Sequence, residues 1–247
     1  MTFDPNTPYN GLPELPPGQD IETKAVFRKC IAATRKLEGL RQAARLIPNQ
    51  DVLINSIPLR EAQESSEIEN IVTTNDRLFR FANMDSDHAD PQTREVLRYR
   101  TALRNGYDNL QSRPLTVQTA LTVCRTIKNC DLDVRALPGT TITNQSTQQV
   151  VYTPPEGADI IRTKLANWER YLHAEDGVDP LIRMAVGHYQ FEAIHPFPDG
   201  NGRTGRALNI LYLIDQKLLD LPILYLSQYI NGYRERYYRL LRDVTAE

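Results

Sequence analysis

Apolar residues recur at mostly three- and four-residue spacing at Ile21, Ala25, Phe27, Ile31, Ala32, Leu37, Leu40, Ala44 and Ile47, until Pro48 closes the run. That period lays one apolar face along an α-helix. The same patterning predicts helices over 58–71, 75–83, 92–110, 116–128, 157–173, 180–194, 202–217 and 227–243, with Pro58, Pro91 and Pro114 as start signals. Between 137 and 157 the texture changes. The stretch LPGTTITNQSTQQVVYTPPEG is rich in Thr, Val and Ile, has a polar centre over 144–149, and is bounded by Pro-Gly and Pro-Pro. It predicts a β-hairpin. The fold class is therefore all-α, a helical bundle interrupted by one hairpin. An isolated hairpin is marginal in water, so it either packs on the bundle or holds a partner. Residues 4–17 carry five prolines and read as an extended arm, laid over the surface or left mobile. The organisation expected is a Pro-rich arm over 1–20, an N-terminal helical segment over 21–90 and a core over 91–247, packed with that segment as one domain.

Charge narrows the partners. With 29 basic and 31 acidic side chains in 247 residues, the net charge is −2. No overall field draws such a chain to nucleic acid or an anionic membrane, so neither is an expected partner and anion binding must be local. Three cysteines without a C-x-x-C pair fit reduced, packed thiols. No basic leader precedes an apolar run at the N-terminus, and no window reaches the ~18 apolar residues of a membrane span, so a cytoplasmic location is expected.

The chemistry concentrates in HPFPDGNGRTGR, His195 to Arg206. Pro196 disfavours helical backbone at His195, which leaves the imidazole at a helix end facing a loop. Asp199-Gly200-Asn201-Gly202 can turn its N–H groups into an anion-binding nest. The following RTGRALNILYLIDQKLL is apolar around most of its circumference and marks a buried helix whose positive N-terminus points at that nest. Arg203 and Arg206 project from one side of its first turn and can hold a polyphosphate. Asp199 fits a Mg²⁺ ligand, since Mg²⁺ at nucleotide sites takes one or two carboxylates and several waters. His195 is the natural general base. A zinc site of His188, Glu192 and His195 is the weaker alternative, because no H-E-x-x-H is present and Pro196 disturbs the last position. The loop is not a Walker A sequence.

This string resembles the signature of the Fic (filamentation induced by cAMP) family, H-x-F-x-[D/E]-G-N-G-R-x-x-R, at every fixed position. The resemblance extends to VYTPPEG and HYQFEAIHPF and covers most of 58–244. It implies a helical Fic fold that transfers AMP from ATP to a hydroxyl of a target protein and releases pyrophosphate. By that resemblance His195 takes the proton of the attacking hydroxyl and Asp199 holds Mg²⁺ on the phosphates. Gly200, Asn201 and Gly202 cradle the α- and β-phosphates, Arg203 and Arg206 hold the β- and γ-phosphates, and Phe197 anchors the loop in the core. Tyr238 matches a tyrosine that contacts the nucleoside. The Doc-type kinase branch carries lysine at the second loop glycine, so Gly202 favours nucleotidyl transfer. The hairpin over 140–152 matches a flap that pairs with an extended segment of the protein substrate. Relatives often dimerise and modify themselves, so a homodimer and self-AMPylation are expected. Many continue beyond the point where LLRDVTAE stands here.

A second cluster, SSEIENIVTTNDRL from Ser65 to Leu78, resembles the family's inhibitory motif [S/T]-x-x-x-E-[G/N], with Ser65, Glu69 and Asn70 in place. Ser65 and Glu69 share one helix face at i, i+4. Glu69 paired with Arg206 would occupy the guanidinium meant for the γ-phosphate and leave ATP poorly set for in-line attack. In some relatives the equivalent glutamate also orients water to remove AMP. The reading is a self-inhibited adenylyltransferase. The alternatives are a Fic-type transferase using another nucleotide, a kinase, or a non-catalytic nucleotide-binding module.

Overall fold

The computed structural model describes residues 3–82, 88–144 and 147–246. Among them run ten helices and one hairpin: α1 (Lys24–Arg45), α2 (Asp51–Ile68), α3 (Asn75–Ala82), α4 (Pro91–Asn109), α5 (Val117–Lys128), β1 (Ile142–Thr143), β2 (Val150–Tyr152), α6 (Ala158–Leu172), α7 (Pro180–Ile194), α8 (Asn201–Asp215), α9 (Leu226–Gly232) and α10 (Arg234–Ala246). The helical expectation for the fold holds, and α8 explains its arrangement. Residues 203–214 are buried without a break, which an apolar sequence on all sides requires. Around α8 lie α7, α5, α4 and α2. Leu103 of α4, Ile127 of α5, Ile161 of α6 and Phe191 of α7 join its side chains in one core.

Close packing at the α4–α8 crossing depends on Gly106, where a Cβ would lie 2.5 Å from Leu211 Cδ1. Gly106→Ala therefore overpacks the core and is expected to cost about 1–3 kcal/mol, read as a lower urea midpoint at unchanged slope.

Two predicted helices need correction. Helix α2 starts at Asp51, not Pro58, and ends at Ile68. Pro58 inside α2 forfeits the bond to the Ile54 carbonyl and crowds that carbonyl with its ring, a cost of about 3 kcal/mol. Meanwhile Leu53, Ile54 and Ile57 pack on Leu221 and Ile223, and that burial carries the helix back to Asp51. The helix expected over 227–243 breaks into α9 and α10 at Tyr233, whose φ −127° and ψ 34° are not helical. Gly232 beside it is a poor helix former. Of the three cysteines expected to be packed, Cys30 and Cys124 are buried but Cys130 is exposed. The apolar stripe of α1 is real yet mostly uncovered, with only Cys30 and Ala44 buried.

In the hairpin, Ile142 stands opposite Tyr152 and Thr143 opposite Val150, with an irregularity between. The expected polar centre over 144–149 includes residues 145–146, which lie outside the described residues. The hairpin packs on the bundle: Tyr152 Oη donates to the Ala193 carbonyl at 2.8 Å. The Pro-rich arm is laid down rather than loose. Tyr9 N donates to Thr153 O at 3.0 Å just past β2, and Tyr9 and Phe3 pack on the Tyr152 ring. Prolines donate nothing but leave carbonyls to accept. Lys164 Nζ donates to Leu12 O, Gln190 Nε2 to Pro13 O and Asn167 Nδ2 to Leu15 O, and Leu12 is buried.

Candidate active site

Helix α7 delivers the histidine. Pro196 bars helical backbone at residue 195, and His195 turns left-handed at φ 49°, ψ 59° while its N–H still bonds Phe191 O at 3.0 Å. A helix end leaves its last carbonyls unpaired. Here Arg135 takes two of them, donating from Nε to His195 O at 2.7 Å and from Nη2 to Ile194 O at 3.3 Å. Its Nη2 also donates to Pro155 O at the base of the hairpin. Arg135 is buried and thereby fixes the backbone that carries His195. Sequence reasoning missed it, since DVRALPG carries no motif. Burial first, then the Arg135 charge, push the His195 imidazole down to about 4, against the Glu192 backbone and the Glu69 and Asp199 carboxylates. The ring is neutral throughout the neutral pH range.

The loop after His195 is pinned from within. Phe197 is fully buried. Asn201 Oδ1 accepts from Phe197 N and its Nδ2 donates to Phe197 O, both at 2.8 Å. The Asn201 side chain thus clasps the loop. Gly200 has φ 82°, and a Cβ there would press on Lys128 Cδ at 3.2 Å and Cys124 Sγ at 3.4 Å. Asp199 accepts from Gly200 N through Oδ1 and from Lys128 Nζ through Oδ2, each at 2.5 Å. Burial opposes ionisation of Asp199, but Lys128 outweighs it and holds the carboxyl below its usual range.

Two arginines leave the first two turns of α8 in different directions. Arg203 is buried, and its Nη1 donates to Glu95 Oε1 of α4 at 2.6 Å. Arg206, 1% exposed, makes three bonds to the end of α2: Nε to Ser65 Oγ at 2.9 Å, Nη2 to Ser65 O at 2.8 Å and Nη2 to Glu69 Oε1 at 2.8 Å. Ser65 O is free to accept because Glu69 N closes back on Ser66 O as the helix ends. Burial pulls the Arg206 guanidinium down, yet the Glu69 carboxylate overrides this and raises it. Glu69 Oε1 also lies so close to Gly202 that a Cβ there would collide with it. The carboxylate therefore rests at the positive start of α8, where an anion is favoured. Asn70 follows at φ 61°, the left-handed turn that glycine and asparagine make most readily after a helix. That turn explains why a motif ends in Glu followed by Gly or Asn.

Helix α2 is held in this position by α9. Buried Glu61 accepts from Ser227 N at 2.8 Å and from Ser227 Oγ at 2.5 Å, and Glu64 accepts from Tyr225 Oη and Asn231 Nδ2. Burial pushes the Glu61 carboxyl up to about 7 despite these donors.

Residues 114–213 match the Fic/DOC family and residues 27–108 match the Fic/DOC family N-terminal region. The chain belongs to the Fic/DOC family. Among curated relatives, a probable protein adenylyltransferase of Aquifex aeolicus is 40% identical over 77 residues, covering 31% of this chain and 23% of that one. The protein adenylyltransferase and cysteine protease IbpA of Histophilus somni is 24% identical over 215 residues, 85% of this chain and 5% of that one. The chain thus spans under a quarter of either relative. Among solved structures, a Fic family protein of Desulfovibrio desulfuricans superposes with TM-score 0.73 at 24% identity, covering 94% of this chain and 70% of that one. Residues 134–508 of Fic-1 from C. elegans superpose with TM-score 0.67 at 19% identity, over 90% and 66% of the two chains. These similarities establish the Fic fold.

Within that fold Asp199 stands as the one carboxylate of the loop. No group of three or more His, Cys, Asp or Glu side chains suited to a metal forms among the described residues. A single, largely exposed carboxylate fits Mg²⁺, which keeps most of its water and phosphate ligands. Tyr238 is half-buried on α10 with its ring 5.2 Å from that of Tyr237. Burial, then the Glu69 carboxylate, push its hydroxyl up to about 12. Tyr237 in turn bonds His188 Nε2 at 2.8 Å. Glu95 and Lys128, which tie Arg203 to Asp199, escaped sequence reasoning because they lie on separate helices outside any recognised string. No helix among the described residues is long and apolar enough to cross a membrane.

Proposed function

We propose that this Fic protein is a self-inhibited, Mg²⁺-dependent protein adenylyltransferase that uses ATP. One observation carries the reading: the Glu69 carboxylate sits against Gly202 and on Arg206, in the anion position that a nucleotide phosphate needs. The pair balances a buried guanidinium, and it also puts a carboxylate where an incoming phosphate would have to displace it.

In the active form Glu69 withdraws and Arg206 receives the γ-phosphate, while the N-terminus of α8 with Gly200 and Gly202 borders the α- and β-phosphates. Asn201 serves by holding the loop, and Tyr238 borders the nucleoside. Asp199 would hold Mg²⁺, which supplies charge neutralisation to the phosphates. A target hydroxyl, presented by an extended segment along the flap 140–152, attacks the α-phosphorus. Its O–P bond forms as the bond to the pyrophosphate oxygen breaks, and its proton passes to neutral His195. Pyrophosphate departs with the electron pair of the broken bond. Self-AMPylation follows if the chain's own hydroxyls reach the flap. Removal of AMP would use Glu69 to orient water.

Label transfer tests this directly. The α-phosphate of ATP is expected to label protein and the γ-phosphate to appear in pyrophosphate; transfer of γ-label to protein instead identifies a kinase. The pH profile tests the base. His195 must be neutral to accept the proton, and its folded pKa is depressed from 6.5 to about 4. Transfer by the Glu69→Gly protein is therefore expected to persist as pH falls through 6.5 and to fail only toward 4. A rate halved near 6.5 would show an ordinary, unburied histidine.

A further inference from the structure

The charges around Asp199 form a ladder that no step so far uses. Asp199 Oδ2 meets Lys128 Nζ at 2.5 Å, Lys128 Nζ meets Glu95 Oε1 at 3.3 Å, and the same Glu95 oxygen meets Arg203 Nη1 at 2.6 Å. Four side chains of alternating sign thus join the loop carboxylate to the buried first-turn arginine of α8. The Lys128 stem runs across the glycine loop, with Cγ and Cδ facing Gly200 at 3.3 and 3.2 Å from where a Cβ would stand. The Lys128 side chain is only 21% exposed.

The two Asp199 oxygens differ in their partners. Oδ1 accepts from the Gly200 N–H and Oδ2 from Lys128 Nζ, so a divalent ion on Oδ2 has to share that oxygen with the resident ammonium. A divalent ion needs its oxygen at about 2.0–2.1 Å, and an ammonium at 2.5 Å from that oxygen would be strongly repelled by the ion. The two cations therefore compete for Oδ2. Lys128 has an alternative within reach, because Glu95 already touches it and is itself held by Arg203, which cannot lose its charge.

We infer that Lys128 is a resident competitor for the divalent cation, resting on Asp199 in the metal-free protein and moving wholly onto Glu95 when the ion binds. Lys128 and Glu95 are positioning residues that set the affinity and reversibility of the metal site. The inference rests on the reading of Asp199 as the metal ligand. It makes Glu95 the common anchor of the phosphate-side arginine and the displaced lysine, so that metal entry does not strand a half-buried charge.

The test is Mn²⁺ titration of the nucleotide-free protein, followed by the EPR signal of free Mn²⁺, with thermal unfolding of each variant as a check on folding. Lys128→Met keeps the stem that packs on Gly200 and removes the charge; it is expected to bind Mn²⁺ about tenfold more tightly, as loss of one charge-assisted competitor implies. Lys128→Arg is expected to bind no more tightly than the unaltered protein. Glu95→Gln removes the alternative seat and is expected to weaken binding, the opposite direction from Lys128→Met. A purely structural role would weaken binding in both. Unchanged or weaker binding by Lys128→Met, with binding abolished in Asp199→Asn, overturns the inference and leaves the metal reading standing. Equal binding by Asp199→Asn and the unaltered site, in the same titration repeated with a non-hydrolysable ATP analogue bound in the Glu69→Gly background, overturns the metal reading itself.

Discussion

Glu69→Gly is expected to raise AMP transfer about tenfold to a hundredfold, because ATP then no longer has to displace a charge-assisted bond of roughly 1.5–3 kcal/mol from Arg206. The geometry makes this competition unavoidable. Glu69 Oε1 is 2.8 Å from Arg206 Nη2 and against Gly202 at the start of α8, so a phosphate and this carboxylate cannot share the place. Backbone geometry does not oppose the substitution, since residue 69 has φ −95° and ψ 16°. The same change is expected to lower stability, because Arg206 is buried and keeps only its Ser65 bonds there. Activity and stability should therefore move in opposite directions, and ATP should restore more stability to Glu69→Gly than to the unaltered protein, as preferential binding to the folded state requires. Thermal unfolding with and without ATP reads both effects.

His195→Ala in the Glu69→Gly background is expected to lower transfer by about 10² to 10⁴, the usual contribution of a positioned general base. ATP binding should survive, because the arginines and the α8 N-terminus are untouched. Kinetically, kcat falls while the Kd for ATP holds, and equilibrium binding beside single-turnover rates separates the two. Arg135 holds the His195 carbonyl, so replacing it would disturb the same step through position rather than chemistry.

Much of the site was legible because its determinants are local. Pro196 ends α7, glycines shape the loop, and a helix buried on all sides follows; each acts over a few residues, whereas Arg203 and Arg206, expected on one side, part toward Glu95 and toward Ser65 and Glu69. The Glu69–Arg206 contact spans 137 positions yet was legible too, since a charge on one helix face and an arginine on a buried helix match a short family motif. What escaped was chemistry without a string. Arg135, Glu95 and Lys128 sit on ordinary-looking stretches, and only tertiary packing brings them to the carbonyls and carboxylates they serve. Likewise Pro58 read as a helix start because a missing N–H costs nothing there, whereas burial of Leu53, Ile54 and Ile57 outweighs the lost bond and the crowded Ile54 carbonyl and extends α2 through it. The arm's five prolines signalled extended chain but not its docking, which depends on side chains of α6 and α7.

The most direct test of the account is the rate of α-label transfer from ATP to protein, measured side by side for the unaltered chain, Glu69→Gly and Glu69→Gly/His195→Ala. The account predicts a low rate, a rate at least tenfold higher, and a return to background. Equal rates for the unaltered chain and Glu69→Gly would contradict it.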